Sequence, residues 1–548
     1  MKISRKWKRL WHRDEPSFMK SIAKPAAIAA IAAGVLLSSP SAYALPTDGQ
    51  ITVGAGTIAA SGAKMTVTQQ TGKMAVNWQS FNITNGEKVQ FVQPSASSVV
   101  LNRVVGNNSS AIYGQLSANG RVILVNQNGV YFSPTSRVDT GALVASTLNI
   151  TDSDFAAGNY RFAKGTTSGR VLNQGQLTAT EGGYVALLGE SAVNEGIIIA
   201  NKGTVALGSG EKATLDMTGD GLINLAVDQG TMNAQAANKG LIQADGGLVV
   251  MTARSAGNLA GTVVNNSGVI RANTLSVQNG RIVLDGGSGG AMSTGTLDAS
   301  GLAAGQTGGT VKVLGDSVTL GTGSKITVSG DTGGGTVLVG GNYQGKGPEQ
   351  NAANTTVEAG TTIHADAVTT GNGGKVVVWA DGSTKFAGTI SAKGGSLSGD
   401  GGSMETSGKQ SLKIADTAQV NTLAHNGKTG TWLLDPKDFT IAANGGDMTG
   451  TALSNSLSST NMEIVSSKGG TDGSGNINVN DSVTWSANTA LTLTASADIN
   501  INADITAAGN TSGLVLSYGA GNKYSLNNGA RVTLSGTTPS LTIGGQAY

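Results

Sequence analysis

From residue 173 the chain reads Asn173-Gln174-Gly175-Gln176-Leu177, and shortly afterwards it continues as Gly182-Gly183-Tyr184-Val185-Ala186-Leu187. This motif predicts a turn, a short strand, a second turn and a second short strand, because Asn and Gly favour tight turns and alternating apolar residues favour strands. A unit of this size cannot bury its apolar face alone and must stack on its neighbours. The sequence therefore predicts an all-β solenoid. Further copies of the motif start at Asn194-Glu195-Gly196, Asn238-Lys239-Gly240 and Asn266-Ser267-Gly268.

The composition of the 548-residue chain also favours stacked strands. Gly accounts for 82 residues, Pro for only 9 and Cys for none, while 39% of residues are hydrophobic and 13% are charged. The apolar residues alternate as they do in packed strands, which argues against disorder, and Gly has no three-residue period, which excludes collagen. Without Cys, an exported chain must be stabilised by its core and its ladder hydrogen bonds rather than by disulfides.

The first 44 residues have the pattern of an extended export signal. A basic segment precedes an apolar run at 26–37 and the small-x-small site Ala42-Tyr43-Ala44, so we expect cleavage between Ala44 and Leu45. The apolar run is too short to span a bilayer, and no transmembrane helix is expected after processing. Losing 8 of 36 basic and 2 of 34 acidic residues leaves 28 and 32, a net charge of −4. No basic patch then favours nucleic acid as a partner.

The remaining chain is expected to change character along its length. Residues 45–170 are rich in aromatics, and we interpret them as an N-terminal cap with the first coils, since a solenoid end exposes core and strand edges. Trp78 and Phe81 are expected in the core. Repeats should run from about 170 to 430, with loops at 340–354 and 394–402 bulging from single coils and a short helix-like stretch at 227–237.

The composition shifts near 432–436, after which Ser, Thr and Asn become more frequent. The last residues, 541–548, have a strand-like pattern without a polar cap, so we expect either a fragment of a longer protein or an end that something else covers. Alternation places residues i and i+2 on one face of a strand. It predicts inward-facing side chains at Val185, Leu187, Val205, Leu207, Val249, Val337, Val339, Val376 and Val378.

Several segments in the N-terminal half match a known family in order and spacing. Residues 45 to about 290 resemble the secretion domain of the filamentous-haemagglutinin and two-partner-secretion exoproteins. The stretches Gly373–Asp381 and Trp432–Pro436 are similar to the high-molecular-weight adhesin branch of this family. The segments that carry the first resemblance are Val76-Asn77-Trp78-Gln79-Ser80-Phe81-Asn82-Ile83, Val89–Pro94, Leu101-Asn102-Arg103-Val104-Val105-Gly106, Gly114–Gly120, Asn126-Gln127-Asn128-Gly129-Val130 and Gly141–Ile150.

The resemblance implies a right-handed parallel β-helix with an N-terminal cap and extra-helical strands. It implies a signal peptide at 1–44, a two-partner-secretion domain at 45–290, further β-helix repeats at 291–435 and a Ser/Thr/Asn-rich β-repeat region at 436–548. The protein would be a secreted or surface-exposed adhesin of a Gram-negative bacterium. Its expected partners are an outer-membrane β-barrel transporter with periplasmic recognition domains, and a receptor or glycan on a host or neighbouring cell.

The resemblance also implies a secretion motif, formed by Asn126, Gln127, Asn128, Gly129 and Val130, together with Asn102 and Arg103. The family motif usually reads Asn-Pro-Asn-Gly-Ile, whereas this chain has Gln127 and Val130 in place of Pro and Ile. We expect a tight turn after a strand at 121–125, with Asn and Gly residues that can adopt positive φ, and less rigidity than Pro would give. The alternative interpretation is that this turn is purely structural.

A polysaccharide lyase or hydrolase is the alternative function, because parallel β-helices also carry such enzymes. After processing the chain has only His364 and His425 and no Cys, which excludes a Cys nucleophile and argues against a His-rich metal site. The carboxylate pairs Asp152 with Asp154 and Asp216 with Asp220 are expected in solvated turns, and no acids are expected to converge on one face of neighbouring coils. The sequence therefore predicts no enzyme, no metal and no cofactor.

Overall fold

The computed structural model describes residues 44–167, 169–216, 222–256, 261–467 and 473–548. Nearly all of the predicted signal peptide lies outside these residues, as does Asp220. From residue 43 onward the chain is one compact unit. Each typical coil of this unit has three short strands, and each strand pairs in parallel with its counterparts in the coils before and after it. The fold is thus the parallel β-helix that the sequence predicts.

Each coil that carries the Asn-x-Gly motif contains one strand more than expected. The strand Arg170–Asn173 comes before the turn, Gln176–Ala179 follows the turn, and Tyr184–Gly189 follows the Gly pair. The first strand was not predicted because it is only four residues long and its last inward position is a polar residue, Asn173. The three strands of each coil contribute to three long sheets, which we number 1 to 3.

The strands of the described residues are numbered β1 to β54 in chain order. Sheet 1 contains β1 Gln50–Val53, β4 Lys73–Trp78, β6 Val99–Val104, β9 Arg121–Val125, β12 Ala142–Ser146, β16 Tyr184–Gly189, β19 Thr204–Ser209, β24 Leu248–Ala253, β27 Arg281–Asp285, β30 Thr310–Leu314, β33 Thr336–Val339, β36 Lys375–Ala380, β39 Ser403–Gly408, β42 Thr431–Leu434, β44 Asn461–Ser466, β47 Ala490–Ala495, β50 Gly513–Tyr518, β53 Ser540–Ile543 and β54 Gln546–Ala547.

Sheet 2 contains β7 Ser110–Ile112, β10 Val130–Phe132, β14 Arg170–Asn173, β17 Ser191–Asn194, β22 Gln235–Asn238, β25 Thr262–Asn266, β28 Gly290–Ser293, β31 Ser317–Leu320, β34 Asn354–Val357, β37 Ser383–Phe386 and β40 Ser411–Ile414. Sheet 3 contains β2 Gly56–Ser61, β3 Lys64–Gln69, β5 Lys88–Val92, β8 Gln115–Ala118, β11 Arg137–Thr140, β15 Gln176–Ala179, β18 Ile197–Ile199, β23 Leu241–Gln243, β26 Val269–Arg271, β29 Thr296–Asp298, β32 Lys325–Thr327, β35 Thr362–His364, β38 Thr389–Ser391 and β41 Gln419–Asn421.

Three smaller sheets complete the strand set. Sheet 4 contains β43 Phe439–Ile441, β45 Ile477–Val479, β48 Ile499–Ile501 and β51 Tyr524–Leu526. Sheet 5 contains β46 Val483–Trp485, β49 Ile505–Ala507 and β52 Val532–Leu534. Sheet 6 lies outside the coils and contains β13 Arg161–Ala163, β20 Lys212–Asp216 and β21 Asn224–Gln229. The described helices are α1 Asp152–Ala157 and α2 Gly450–Leu457, with a 3₁₀ turn at Tyr343–Gly345.

Antiparallel strands close the N-terminal end of the solenoid. β1 pairs antiparallel with β4, and β2 and β3 form an antiparallel hairpin. The parallel stacking begins where β3 meets β5 and β4 meets β6. Because the hairpin occupies the edge that the first coil would otherwise expose, it acts as the cap expected for this region.

The core runs through the interior of the coils. All nine side chains predicted to face inward are fully buried in it, and so are Trp78 and Phe81, whose rings meet edge to face with centroids 5.7 Å apart. The predicted burial of these side chains is thus confirmed. It could be predicted because alternation along a strand is a local property that stacking does not alter.

The outer face of sheet 1 is covered as well, which alternation alone does not predict. Near the N-terminus, α1 and sheet 6 bury a second apolar cluster that includes Phe155, Phe162, Leu188 and Leu215. Further along, the loop 340–353 lies over Leu338, Val377 and Trp379. The predicted loop at 340–354 therefore does leave its coil, and it returns to pack on the sheet.

The prediction of a helix-like stretch at 227–237 is wrong. Its first residues belong to β21, which pairs antiparallel with β20, and its last residues form β22 of sheet 2. Tertiary pairing in two sheets outweighs a weak local preference for helix. The helices that do form lie at Asp152–Ala157, where Thr151 caps the N-terminus, and at Gly450–Leu457, where Thr449 does so.

The predicted composition shift coincides with a break in two of the three sheets. Sheets 2 and 3 end at β40 and β41, and sheets 4 and 5 begin at β43 and β46. Sheet 1 continues through this region by the pairing of β39 with β42 and of β42 with β44. The helix α2 packs on both β41 and β46. We call residues 415–460 the joint. In the described part of the chain, no helix is both long and apolar enough to cross a membrane.

Candidate functional site

The predicted secretion motif forms the corner between sheets 1 and 2. β9 ends at Val125, and the next strand, β10, starts at Val130. The side chain of Asn126 accepts a hydrogen bond from the backbone N–H of Asn128 at 3.0 Å, while the Asn126 carbonyl accepts one from the N–H of Gly129 at 3.0 Å. This is an Asx-type turn, in which a side chain replaces a backbone acceptor.

Only one residue of the motif requires positive φ. Gly129 has φ 125°, whereas Asn126, Gln127 and Asn128 are outside the positive-φ set. The expectation that the Asn residues supply positive φ is therefore wrong. Their side chains act instead as hydrogen-bonding groups, which is the other reason that Asn is frequent in turns.

The two Asn side chains join the turn to the preceding coil. Asn126 is fully buried, and its Nδ2 donates to the carbonyl of Asn108 and to Oγ of Ser110, both at 3.0 Å. Nδ2 of Asn128 donates to the carbonyl of Gly106 at 3.0 Å. The turn thus holds the segment 106–110 by three side-chain hydrogen bonds.

Backbone bonds join the same turn to both neighbours. The N–H of Ser110 donates to the carbonyl of Gly129 at 3.0 Å, and the N–H of Asn126 donates to the carbonyl of Ser146 at 2.9 Å. The side chain of Gln127 packs against Gly165, where an added Cβ would lie 1.8 Å from Gln127 Oε1. The chain at Gly165 can approach Gln127 this closely only because Gly has no Cβ.

Asn102 and Arg103 lie on β6, next to β9. Asn102 is fully buried and accepts a hydrogen bond from the indole N–H of Trp78 at 3.0 Å. Arg103 donates to Oδ1 of Asn149 and to the carbonyl of Ile150, and its guanidinium lies 2.8 Å from a carboxylate oxygen of Asp152. It therefore fixes the segment that leads into α1.

The structure brings the two predicted segments together. Arg103 pairs with Val125 in sheet 1, directly before Asn126. A cleft of about 470 Å³ adjoins the motif and is lined by Asn128, Gly129 and Val130 together with Tyr131 and Arg170. Sequence reasoning missed Tyr131 and Arg170, because Arg170 comes from the following coil and its position depends on the coil length.

A ladder of buried Asn side chains starts in the coil after the motif. Nδ2 of Asn173 donates to Oδ1 of Asn194 at 2.8 Å, Asn194 donates to Asn238 at 2.8 Å, and Asn238 donates to Asn266 at 2.9 Å. The ladder ends where Nδ2 of Asn266 donates to Oγ of Ser293 at 3.3 Å. Although the rungs are 21, 44, 28 and 27 residues apart in sequence, they stay in register. The repeated Asn of the motif is thus a stacking element inside the coils.

The predicted cleavage position lies at the edge of the cap. The backbone N–H of Ala44 donates to the carboxylate of Glu87 at 2.9 Å, and the side chain of Leu45 is buried in the core. Asp152 and Asp154 lie in the first turn of α1, where acidic side chains favour the helix N-terminus. Among the described residues, no group of three or more His, Cys, Asp or Glu could hold a metal ion.

The expectation that no acids converge on one face is wrong at one place. Glu405 of β39 pairs with Leu433 of β42, and Leu433 pairs with Glu463 of β44, so the two Glu residues occupy the same row of sheet 1. Burial raises the pKa of Glu405 to about 7 and also raises the pKa of Asp435, and the two carboxylates lie close enough to influence each other. Sequence reasoning missed this cluster because unequal coil lengths hide the row.

Comparisons with known proteins agree with this geometry. The family model of the TPS secretion domain matches residues 42–299. Two Heme/hemopexin-binding proteins of Haemophilus influenzae are 32% identical over 252 residues and 29% identical over 244 residues, which correspond to 44% and 40% of this chain. The chain covers only 27% and 26% of the length of these two relatives. The names of both relatives describe binding rather than catalysis.

A solved structure gives a more complete match. The crystal structure of the HMW1 secretion domain from Haemophilus influenzae has 33% sequence identity with this chain and a TM-score of 0.62. The match covers 71% of this chain and 100% of that one. This chain matches the HMW1 secretion domain over the whole length of that domain, with 33% sequence identity. The chain therefore belongs to the two-partner-secretion exoproteins, which are the secreted substrates of the two-partner-secretion pathway.

Proposed function

We propose that this protein is an adhesin-type exoprotein that reaches the cell surface or the medium of a Gram-negative bacterium through the periplasm. Residues 1–44 act as the signal peptide, which is cleaved between Ala44 and Leu45. Residues 45–290 act as the secretion domain and folding nucleus, 291–435 extend the β-helix, and 436–548 form the Ser/Thr/Asn-rich region. The match of the TPS secretion domain to residues 42–299 is the observation that carries this proposal.

The export partner in this proposal is a dedicated outer-membrane β-barrel transporter with periplasmic recognition domains. The segments Asn102-Arg103 and Asn126–Val130 form the recognition region, because they adjoin each other and the open cleft beside Tyr131 and Arg170. Exposed strand edges of a chain that has not finished folding can add to a partner's sheet. As each coil then folds onto the coil before it at the cell surface, folding would pull the rest of the chain out through the transporter.

Outside the cell, the protein is proposed to bind a receptor or glycan on a host or neighbouring cell. Support for this part comes from the family and from the long, coil-built scaffold, which presents loops at its corners.

The export proposal is tested by a double variant, Asn126→Ala with Asn128→Ala, which removes three side-chain hydrogen bonds to residues 106–110. The measurement is the ratio of protein in the medium to protein in the periplasm when the cognate transporter is co-expressed. We expect this ratio to fall at least tenfold.

The matched control is Asn173→Ala. Asn173 is equally buried, and its Oδ1 also accepts from the backbone N–H two residues on, at 3.0 Å. Thermal melting of the purified variants shows whether they lose similar stability. If Asn173→Ala blocks export as strongly as the double variant, the motif is ordinary scaffold and its role in export is refuted.

A further inference from the structure

The loop 340–353, which we call the strap, crosses the outer face of sheet 1 and is fastened at several points. The Lys312 ammonium lies 2.8 Å from a carboxylate oxygen of Glu349, and Nδ2 of Asn342 donates to the same carboxylate at 2.7 Å. On the other side, the backbone N–H of Gln344 donates to Oε2 of Glu405 at 2.8 Å. A strap held at both ends gives a defined surface beneath and beside it.

An open cleft of about 450 Å³ lies between the strap and the coils that follow it. Strap residues form one wall of the cleft, and residues that follow β36, β39, β42 and β44 form the other. A cleft of this size is within the range that small-molecule sites occupy. Its polar lining residues are Gln344, Lys346, Asn351, Asp381, Lys409, Asp435 and Ser467.

Two residues that line this cleft each have a buried oxygen atom that receives no hydrogen bond from a described residue, namely Oδ1 of Asn351 and Oδ1 of Asp435. Glu405 lies behind the cleft wall, where it is 1% exposed and its Oε2 accepts a hydrogen bond from the backbone N–H of Gln344. A buried acceptor without a donor costs about 1–3 kcal/mol, so the two acceptors favour a partner that supplies donors.

The charges around the cleft nearly cancel. The carboxylates of Asp381, Glu405 and Asp435 are accompanied by the ammonium groups of Lys346 and Lys409, and the ammonium of Lys375 lies 5.1 Å from the ring centroid of Tyr343 in the strap. Glu463 adds one further carboxylate nearby, since it influences the pKa of Asp435. With Glu405 partly protonated near neutral pH, the site has no large excess of either charge. A near-neutral lining disfavours a strongly charged ligand.

We propose that this cleft binds a saccharide, whose hydroxyl groups donate to the free oxygens of Asn351 and Asp435 and accept from Lys346 and Lys409. A hydroxyl group is both a donor and an acceptor, which is what alternating carboxylate, amide and ammonium groups require. This inference rests on the glycan-binding part of the proposed function, whereas neither the motif at 126–130 nor the export proposal contributes to it. Export can therefore fail while binding persists, and the reverse also holds.

Trp379 makes the binding measurable. Its indole N–H donates to Oδ1 of Asp381 at 3.1 Å, and it lies in the wall of the cleft. The purified secreted protein is titrated with glucose, galactose, N-acetylglucosamine and lactose, and its tryptophan fluorescence is recorded together with saturation-transfer NMR of each sugar. We expect saturable binding of at least one of these sugars.

Two variants locate the binding. Lys409→Met removes an exposed donor that lines the cleft and should leave the fold unchanged, and Asp435→Asn alters one of the free acceptors. Each should weaken the sugar affinity at least fivefold. Asp139→Asn, at an exposed position on β11, is the control and should have no effect.

The proposal is overturned if none of the four sugars binds, or if Lys409→Met and Asp435→Asn both bind as the parent does. It is also overturned if the parent binds spermidine or Ca²⁺ at the cleft and no sugar displaces them, since the ligand class would then be cationic. Circular dichroism of each variant confirms folding, so a loss of binding in Lys409→Met cannot be attributed to unfolding.

Discussion

Replacing Asn194 with Leu should be among the more costly substitutions in the repeats. Leu is similar in size to Asn, so the substitution leaves little cavity. It nevertheless interrupts the Asn ladder, because Leu can neither donate nor accept a side-chain hydrogen bond. Oδ1 of Asn238 then loses its donor at 2.8 Å, while Nδ2 of Asn173 loses its acceptor at 2.8 Å and keeps only the longer bond to the carbonyl of Gly175 at 3.3 Å. An orphaned acceptor costs about 1–3 kcal/mol here, because Asn238 is fully buried and water cannot replace the lost bond. With the weakened bond of Asn173 added, we expect a loss of about 3 kcal/mol in the free energy of unfolding.

The end of the ladder provides the control. In Ser293→Ala only Asn266 loses an acceptor, at 3.3 Å, and its Nδ2 still reaches the carbonyl of Gly268 at 3.4 Å. The expected cost is therefore about 1 kcal/mol. Urea unfolding of the secreted protein gives both values, and hydrogen exchange shows whether protection is lost in β14, β17 and β22. Equal costs for the two variants, or a parent-like midpoint for Asn194→Leu, would refute the argument that the ladder is cooperative.

Three further predictions concern burial, titration and turn geometry. Val376→Asp places an unpaired charge in the fully buried core and should cost several kcal/mol in thermal melting, roughly 3–5 kcal/mol, whereas Val269→Asp, at a position 40% exposed, should change little. The pKa of Glu405 is raised from 4.5 to about 7, so the stability it contributes is fully present below about pH 4.5 and is lost as the pH rises through about 7. Melting curves across this window should show a loss of up to about 3 kcal/mol that Glu405→Gln abolishes, and an unchanged slope in that variant would contradict the assignment. Gly129→Ala should destabilise by about 1–2 kcal/mol, because φ is 125° there, while Gly72→Ala, with open space around its Cβ, should be nearly neutral.

Local pattern was sufficient to predict the stacked coils and the inward rows. Val376 and Val378 alternate with Val377 and Trp379, and alternation survives whatever the neighbouring coils contribute. It could not show that the alternate row is also buried, since the strap that covers Val377 and Trp379 returns from another coil. The strand Arg170–Asn173 was missed because its buried polar residue, Asn173, has its shortest side-chain hydrogen bond to Asn194 in the next coil, and a single sequence does not show that contact.

The functional regions were predictable to different degrees. The sequence located Asn126–Val130 in a turn after β9, but it assigned positive φ to Asn residues whose contribution is hydrogen bonding to Gly106, Asn108 and Ser110. The cluster of Glu405, Asp435 and Glu463 was not predictable, since rows across coils of unequal length appear only once the register is known. Long-range register is the information that a single sequence lacks.

The joint at 415–460 has a consequence for how unfolding spreads. In a stack of coils, unfolding passes from one coil to the next only as far as their interface couples them. At the joint the interface retains the pairing of sheet 1 and the packing of α2, while the ladders of sheets 2 and 3 stop. Coupling is therefore weakest there. Melting that begins among the C-terminal coils is expected to halt at this boundary, which leaves the secretion domain upstream insulated from damage at the far end.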